Sequence, residues 1–250
     1  MISVCMAVFN GEKYIQRQLN TILLQLGQTD ELIISDDSST DSTIALIKAF
    51  GDDRIRLLEN ANFKSPIYNI ENALKHARGK YIFLADQDDV WLPDRIYKVK
   101  EKLQEYDLVV CDAFVVDQEE KLIHKSFYEW NGSGPGFWRN LKKNSFLGCS
   151  MAFNQKILHA ALPFPKRIAM HDVWIGLLAV CNGKVLFLNE RLIYYRRHSN
   201  NFVASILRDD VHPSDFGIIY KIGYRLELLI QILKRCFILK VASKRRKKVS

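Results

Sequence analysis

Apolar positions in the first half of the chain change period repeatedly. Ile2–Val8 is a short apolar run that predicts a strand. Between Glu12 and Leu26 apolar residues fall at 15, 19, 22, 23 and 26, which is helical spacing. Strand-like runs return at Glu31–Ser35, Arg54–Leu58, Tyr81–Ala85 and Asp107–Val116. Helical stretches lie between them at Thr40–Phe50, Ile67–Ala77 and Pro93–Glu105. Gly79 is read as the stop of the second of these, and Pro93 as the start of the third. Strands separated by helices predict an α/β fold with a mainly parallel, doubly wound sheet, because parallel neighbours need crossover connections.

The second half is less regular. Phe127–Lys143 is rich in glycine and aromatic residues and reads as a functional loop, since Trp and Phe are wasted in a solvated tether. Further strands are expected at Cys149–Phe153, Lys184–Leu188 and Leu192–Arg196, and a helix at His171–Cys181. From Ile218 a long helix is predicted, with Ile219, Ile222, Leu226, Leu229, Ile230, Leu233, Phe237 and Val241 forming a stripe. This divides the chain into a domain over residues 1–215 and an amphipathic, basic segment over 216–250.

Charge sharpens that division. Residues 221–250 hold ten Lys/Arg and one acid, Glu227, while the rest of the chain has a net charge of −1. The excess positive charge is thus confined to the tail, which ends in Lys244-Arg-Arg-Lys-Lys248. The tail's apolar run is too interrupted by charge to span a bilayer. It suits a helix lying on an anionic membrane surface; the plainer alternative is a helix packed on its own domain. The near-neutral body argues against a nucleic-acid-binding protein. Five cysteines without C-x-x-C spacing predict buried, reduced thiols. With no signal peptide read at Met1, the expectation is a cytoplasmic protein, peripheral on the inner face of the membrane.

Four constellations carry candidate chemistry. Ile33–Thr43 ends a strand in Asp36-Asp37 and continues through a small polar loop, where carboxylates can accept hydrogen bonds from a nucleobase and ribose. Tyr81–Asp89 ends a strand in Asp86, Asp88 and Asp89, three acids whose mutual repulsion calls for a divalent cation such as Mn²⁺ or Mg²⁺. Asp172 stands at the start of a helical run, where the helix dipole stabilises a carboxylate that can act as a general base. Arg196, Arg197 and His198 follow a strand and can hold a pyrophosphate or complete a metal shell. Each has a plain structural alternative, helix capping for the acids and a solvated edge for the basic group.

In this order the motifs are similar to those of the inverting family-2 glycosyltransferases of the GT-A fold. Val8-Phe-Asn-Gly11 resembles the family's opening loop, and Ser35–Asp41 its first acidic element, with Ser38 where glycine is usual. Ala85-Asp-Gln-Asp-Asp-Val-Trp91 resembles the DXD motif, as found in bacterial polysaccharide and rhamnosyltransferase-like members. Gly148–Asn154, His171-Asp172 and Tyr195–Asn201 resemble the acceptor-side segment, the base and the segment that follows it. The resemblance covers about residues 1–202. It implies that Val8 and Asn10 belong to a nucleotide-sugar site, that Asp36 and Asp37 contact the base, Asp86 the ribose and Arg196 the diphosphate. It further implies Asp88 as metal ligand, His198 as a second ligand and Asp172 as general base. Asp89 is left as a cap for the helix near Pro93.

The reaction so implied moves a sugar from a UDP- or dTDP-sugar to a glycan hydroxyl, with a lipid-linked acceptor suggested by the tail. Trp130, Trp138 and Trp174 are the aromatic faces on which an acceptor sugar can stack. A nucleotidyltransferase is the alternative, but Asn10-Gly11-Glu12-Lys13 is a poor phosphate loop.

Overall fold

The computed structural model describes residues 1–59, 61–166, 168, 170–197 and 218–246. Its centre is one sheet. Strands β1 (Ile2–Val8), β2 (Glu31–Asp36), β3 (Ile55–Leu58) and β4 (Tyr81–Asp86) pair in parallel in the order β3-β2-β1-β4. Helices α1 (Ile15–Leu23), α2 (Thr43–Lys48) and α3 (Pro66–Lys75) make the crossovers. This is the parallel, doubly wound half that the alternating pattern predicts.

The other half is mixed. After the two-residue strand β5 (Val90–Trp91) and α4 (Arg95–Lys102), strand β6 (Leu108–Val116) does not join β4. Instead β8 (Met151–Asn154) lies between them, antiparallel to both. The hairpin strand β7 (Leu122–His124) also pairs with β6. On its other side β6 pairs in parallel with β9 (Val185–Arg196). The expectation of two strands at 184–188 and 192–196 is corrected to this single long one. Cys111 pairs with Leu188 but Asp112 with Arg191, so the polar Asn189-Glu190 pair is accommodated as a bulge.

The strands send alternate residues to two apolar layers. Tyr81, Phe83 and Ala85 of β4 face the layer built with α1 and α4. Ile82 and Leu84 face the layer built with α3, α7 (Gln155–Ala161) and α8 (His171–Asn182). Leu228 and Ile232 of the C-terminal helix α9 (Ile218–Arg246) join that second layer, packed against α8. Gly79 is not a helix stop. Helix α3 ends at Lys75, and a Cβ on Gly79 would lie 2.4 Å from the Ser3 backbone nitrogen. The glycine lets two backbones approach.

The aromatic segment is ordered rather than loop-like. It forms α5 (Phe127–Asn131) and α6 (Phe137–Lys142). Asp112 of β6 anchors it, accepting from the Ser126 hydroxyl at 2.6 Å and the Tyr128 amide at 2.9 Å. Cys5, Cys111 and Cys149 are buried as expected; Cys181 is exposed and Cys236 half-buried, and all five thiols are free.

Candidate active site

Three loops leave the same edge of the parallel half and are tied together by side-chain to backbone hydrogen bonds. Gln87, between the acids of the DXD motif, accepts from the Phe9 amide at 2.9 Å and donates to the Phe9 carbonyl at 3.0 Å. A Cβ on Gly11 would stand 2.6 Å from the Gln87 Oε1, so glycine is needed beneath this clip. Asn10 accepts from the Thr40 amide at 2.9 Å, and its own amide donates to the Ser39 hydroxyl. Gln18 reaches from α1 to donate to the Asp86 carbonyl at 2.8 Å.

Asp36 and Asp37 separate in this frame. Asp36 is fully buried and accepts from the amide and hydroxyl of Ser39, so it clasps its own loop. That corrects its expected place beside a nucleobase. Asp37 is half-buried and accepts from the amides of Phe63 and Ser65. Ser38, between that pair and the rest of the loop, has φ 64°, the left-handed conformation for which glycine is the usual residue. Its hydroxyl donates to the Ala61 carbonyl. Val8 is also corrected: its side chain is core, and its carbonyl accepts from Asp37 and Asn69. Phe9 and Asn10 are the exposed part of that loop.

The acid turn is held from below and behind. Asp86 is open to solvent at the strand end, yet crowded by protein, and this together with Asp88 and Asp172 pushes its pKa up to about 7. Asp89 does not cap a helix. It is buried, accepts from the Arg196 amide at 2.9 Å, and leaves its Oδ2 without a hydrogen bond. Burial, then Asp88 and Asp86, hold its carboxyl well above the usual range. Arg95 lies fully buried beneath the turn, 3.9 Å over the Trp91 ring, donating to the Cys149 carbonyl at 2.6 Å. Its charge opposes the rise at Asp86.

Arg196 is not poised to grip a diphosphate. It is buried and donates to the Asp88 and Gln118 carbonyls and to the Glu120 carboxylate at 3.0 Å. It therefore straps β9 to the acid turn and to the hairpin beyond β6. His198 lies outside the described residues.

Asp172 enters from the other half of the sheet. It sits in the first turn of α8, 5% exposed, accepting from the Val173 amide and, at 3.0 Å, from Asn144 Nδ2. Burial raises its pKa to about 6, against the lowering effect of both hydrogen bonds. Its charge is felt at Asp86, so the fold brings together two acids from opposite halves. His171 beside it is held neutral by burial, its pKa lowered to about 4. Gly148 keeps space for that ring, because a Cβ there would lie 2.9 Å from His171 Nε2. Asn144 was not among the residues singled out by sequence. It lies in a connecting segment with no motif, and only the fold reveals its contact.

The three tryptophans part company. Trp174 is core, with its indole donating to the Ala161 carbonyl at 3.0 Å, which corrects its expected exposure to an acceptor. Trp130 is half open and stacked on His124, with ring centroids 5.0 Å apart. Trp138 on α6 is 71% exposed.

A divalent cation fits the oxygen donors here. One oxygen each of Asp86 and Asp89 and the Cys149 sulfur lie within 4.8 Å of one another, and the pKa of Asp86 is raised first by burial and then by the neighbouring charges of Asp88 and Asp172. Burial holds the Cys149 thiol well above its ordinary pKa, so it is a poor ligand for a hard cation. Asp89 is buried, out of reach of solvent, and its charge acts on buried Arg95. Asp86, the acid open to solvent, is the better oxygen donor, while its neighbour Asp88 is buried in the turn.

Solved structures share this architecture. The Staphylococcus aureus TarS fragment 1–349 in complex with UDP-GlcNAc aligns with TM-score 0.62 at 20% identity, covering 94% of this chain and 72% of that one. The mannosyltransferase PcManGT of Pyrobaculum calidifontis, in complex with GDP-Man and Mn²⁺, aligns with TM-score 0.61 at 17% identity, covering 98% and 75%. The fold, with its acid turn at the edge of the parallel half, is that of a GT-A glycosyltransferase.

Among curated relatives, the putative glycosyltransferase EpsE of Bacillus subtilis is 34% identical over 123 residues, 47% of this chain and 44% of its own length. The Escherichia coli enzyme WfgD, a UDP-Glc:α-D-GlcNAc-diphosphoundecaprenol β-1,3-glucosyltransferase, is 33% identical over 96 residues, 38% of each. The Shigella flexneri dTDP-rhamnosyl transferase RfbG is 26% identical over 243 residues, 89% of this chain and 82% of that one. The chain thus spans less than half the length of EpsE and WfgD. The model for glycosyl transferase family 2 matches residues 3–161, and the chain belongs to that family.

Proposed function

We propose that this glycosyltransferase is metal-dependent and inverting, moving a sugar from a UDP- or dTDP-sugar to a hydroxyl of a lipid-linked glycan in bacterial surface polysaccharide synthesis. The observation that carries the reading is Asp172, buried in the first turn of α8 with its carboxylate held by Asn144 and the Val173 amide, and near enough to the acid turn for its charge to help raise the pKa of Asp86. A base and a donor-holding turn from opposite halves of the sheet are what a single displacement needs.

In this reading Asp37, Asn10 and Asp86 contact the nucleoside, and Asp88 with Asp86 would hold Mg²⁺ or Mn²⁺. The cation would offset the charge of the departing diphosphate. Asp172 accepts the acceptor hydroxyl's proton at a carboxylate oxygen while Asn144 and the Val173 amide fix its orientation. One displacement inverts the anomeric carbon. Trp138 and Trp130 offer ring faces to the acceptor sugar. The lipid-linked acceptor is supported by the substrate named for WfgD, and the dTDP alternative by that named for RfbG. In this reading the protein works at the inner face of the cytoplasmic membrane, peripherally bound.

A thermal-shift screen of nucleoside diphosphates and their sugars, with and without Mn²⁺, tests the donor assignment. The expected result is stabilisation by one nucleotide class only when the metal is present, about 2.7 kcal/mol at a hundredfold excess over Kd. Equal stabilisation without metal would remove the metal from the account.

A further inference from the structure

Helix α9 has two apolar faces rather than one. Leu228 and Ile232 are buried against the domain. Arg225 donates to the Lys142 carbonyl of α6. Arg235 donates to the carbonyls of Ala160, Leu162 and Pro163 and lies over the Trp174 ring. Two of the basic residues in the tail are therefore spent on docking the helix, and the plainer expectation of a helix packed on its own domain holds for this face.

The second face is open. Ile222, Leu226, Ile230, Leu233 and Phe237 recur at three- and four-residue steps, which is one side of a helix. All are exposed, Leu226 by 54% and Phe237 by 69%. A continuous stripe of large apolar side chains on the surface marks an interaction site. The exposed charged side chains described on this helix are Lys234 and Lys240, while the acid Glu227 is half-buried and accepts from Gln231. Apolar residues bordered by lysines complement an anionic lipid surface rather than a neutral protein face. Among the described residues no helix is long and apolar enough to cross a membrane, so the helix would lie along the surface.

We infer that the 222–237 stripe of α9 is a lipid-facing surface for anionic bilayers, built rigidly onto the catalytic domain. Because its opposite face packs on α8, whose first turn carries Asp172, contact with lipid fixes the orientation of the base. The exposed Trp138 belongs to α6, which Arg225 ties to α9, so the lipid contact and the acceptor side are joined structurally. The inference rests on the peripheral location proposed above and not on the assigned chemistry.

Vesicle co-sedimentation of the full chain tests it, using phosphatidylglycerol–phosphatidylethanolamine vesicles against phosphatidylcholine alone. The wild type is expected to sediment with the anionic vesicles only. Leu226→Glu with Phe237→Glu should lower partitioning at least about tenfold, because two large apolar groups no longer enter the interface. Thermal melting and the nucleotide-induced shift should be unchanged, and the milder Leu226→Ser with Phe237→Ser repeats the test should the glutamates impair folding. Retained binding by folded stripe variants, lost only when Lys244, Arg245, Arg246, Lys247 and Lys248 are changed to Gln, would overturn the stripe while leaving peripheral location intact. Failure of the wild type to bind anionic vesicles would overturn both. A concentration-dependent dimer abolished by the stripe variants would assign the face to a second copy and overturn the lipid reading.

Discussion

The two sides of the proposed site, one assigned to the donor and one to the acceptor, are built by different means. The donor side, at the edge of β1, β2 and β4, is a lattice of short polar clasps: Gln87 to Phe9, Asn10 to Thr40, Asp36 to Ser39, Gln18 to Asp86. The acceptor side is set by packing, with Asp172 on a buried helix start and α5 hung from Asp112. The contrast teaches that the donor side is preorganised locally. The acceptor side depends on how distant elements meet.

The largest expected effect lies on the acceptor side. Asp172→Asn keeps the shape and the Asn144 neighbour but removes the base, so kcat should fall by about 10²–10⁴-fold in a transfer assay. If donor affinity fell in step, the division between the two sides would be wrong.

The next effect should come from the donor side. Gln87→Ala deletes two hydrogen bonds between the acid turn and the Phe9 loop, a loss of about 1–3 kcal/mol in stability by thermal melting. Donor KM should rise more than kcat falls. Gly11→Ala should act in the same direction, since its methyl would displace Gln87.

A pH profile sharpens the acceptor side. The base works when ionised, and so does Asp86 as an oxygen donor, so kcat/KM should rise with pH through about 6 for Asp172 and about 7 for Asp86 and then level. The hydrogen bond from Asn144 favours the carboxylate. In Asn144→Ala that support is gone, the pKa rises further and the acidic limb should move to higher pH. An unmoved limb would make Asn144 a packing residue only. The smallest effect is expected for Trp138→Ala: stability within about 0.5 kcal/mol, because the ring is largely in solvent. Acceptor KM should rise with donor KM unchanged.

The same contrast explains what was legible in the chain. Short apolar runs and helical spacing made the parallel half legible, because each of its strands is such a run between helices. The acid turn and Asp172 were legible because strand ends and helix starts place such residues predictably. The insertion of β8 between β4 and β6 was not, since antiparallel pairing across some seventy residues leaves no local trace. Burial also sorted residues that sequence treats alike. Trp174 and Trp138 are the same residue type, yet one is core and one is surface. Arg196 reads as an anion grip by type, but its partners are carbonyls of its own chain and Glu120. Asp36 and Asp37 are adjacent, but Asp36 is the buried last residue of β2 while Asp37 opens the loop that follows.

The most direct test of the central claim pairs two readings on one variant. Asp172→Asn should bind nucleotide sugar by calorimetry within about twofold of wild type, while its single-turnover transfer rate falls at least about a hundredfold. Transfer near the wild-type rate, or loss of donor binding together with transfer, would contradict the assignment of Asp172 as the base facing a donor held by the acid turn.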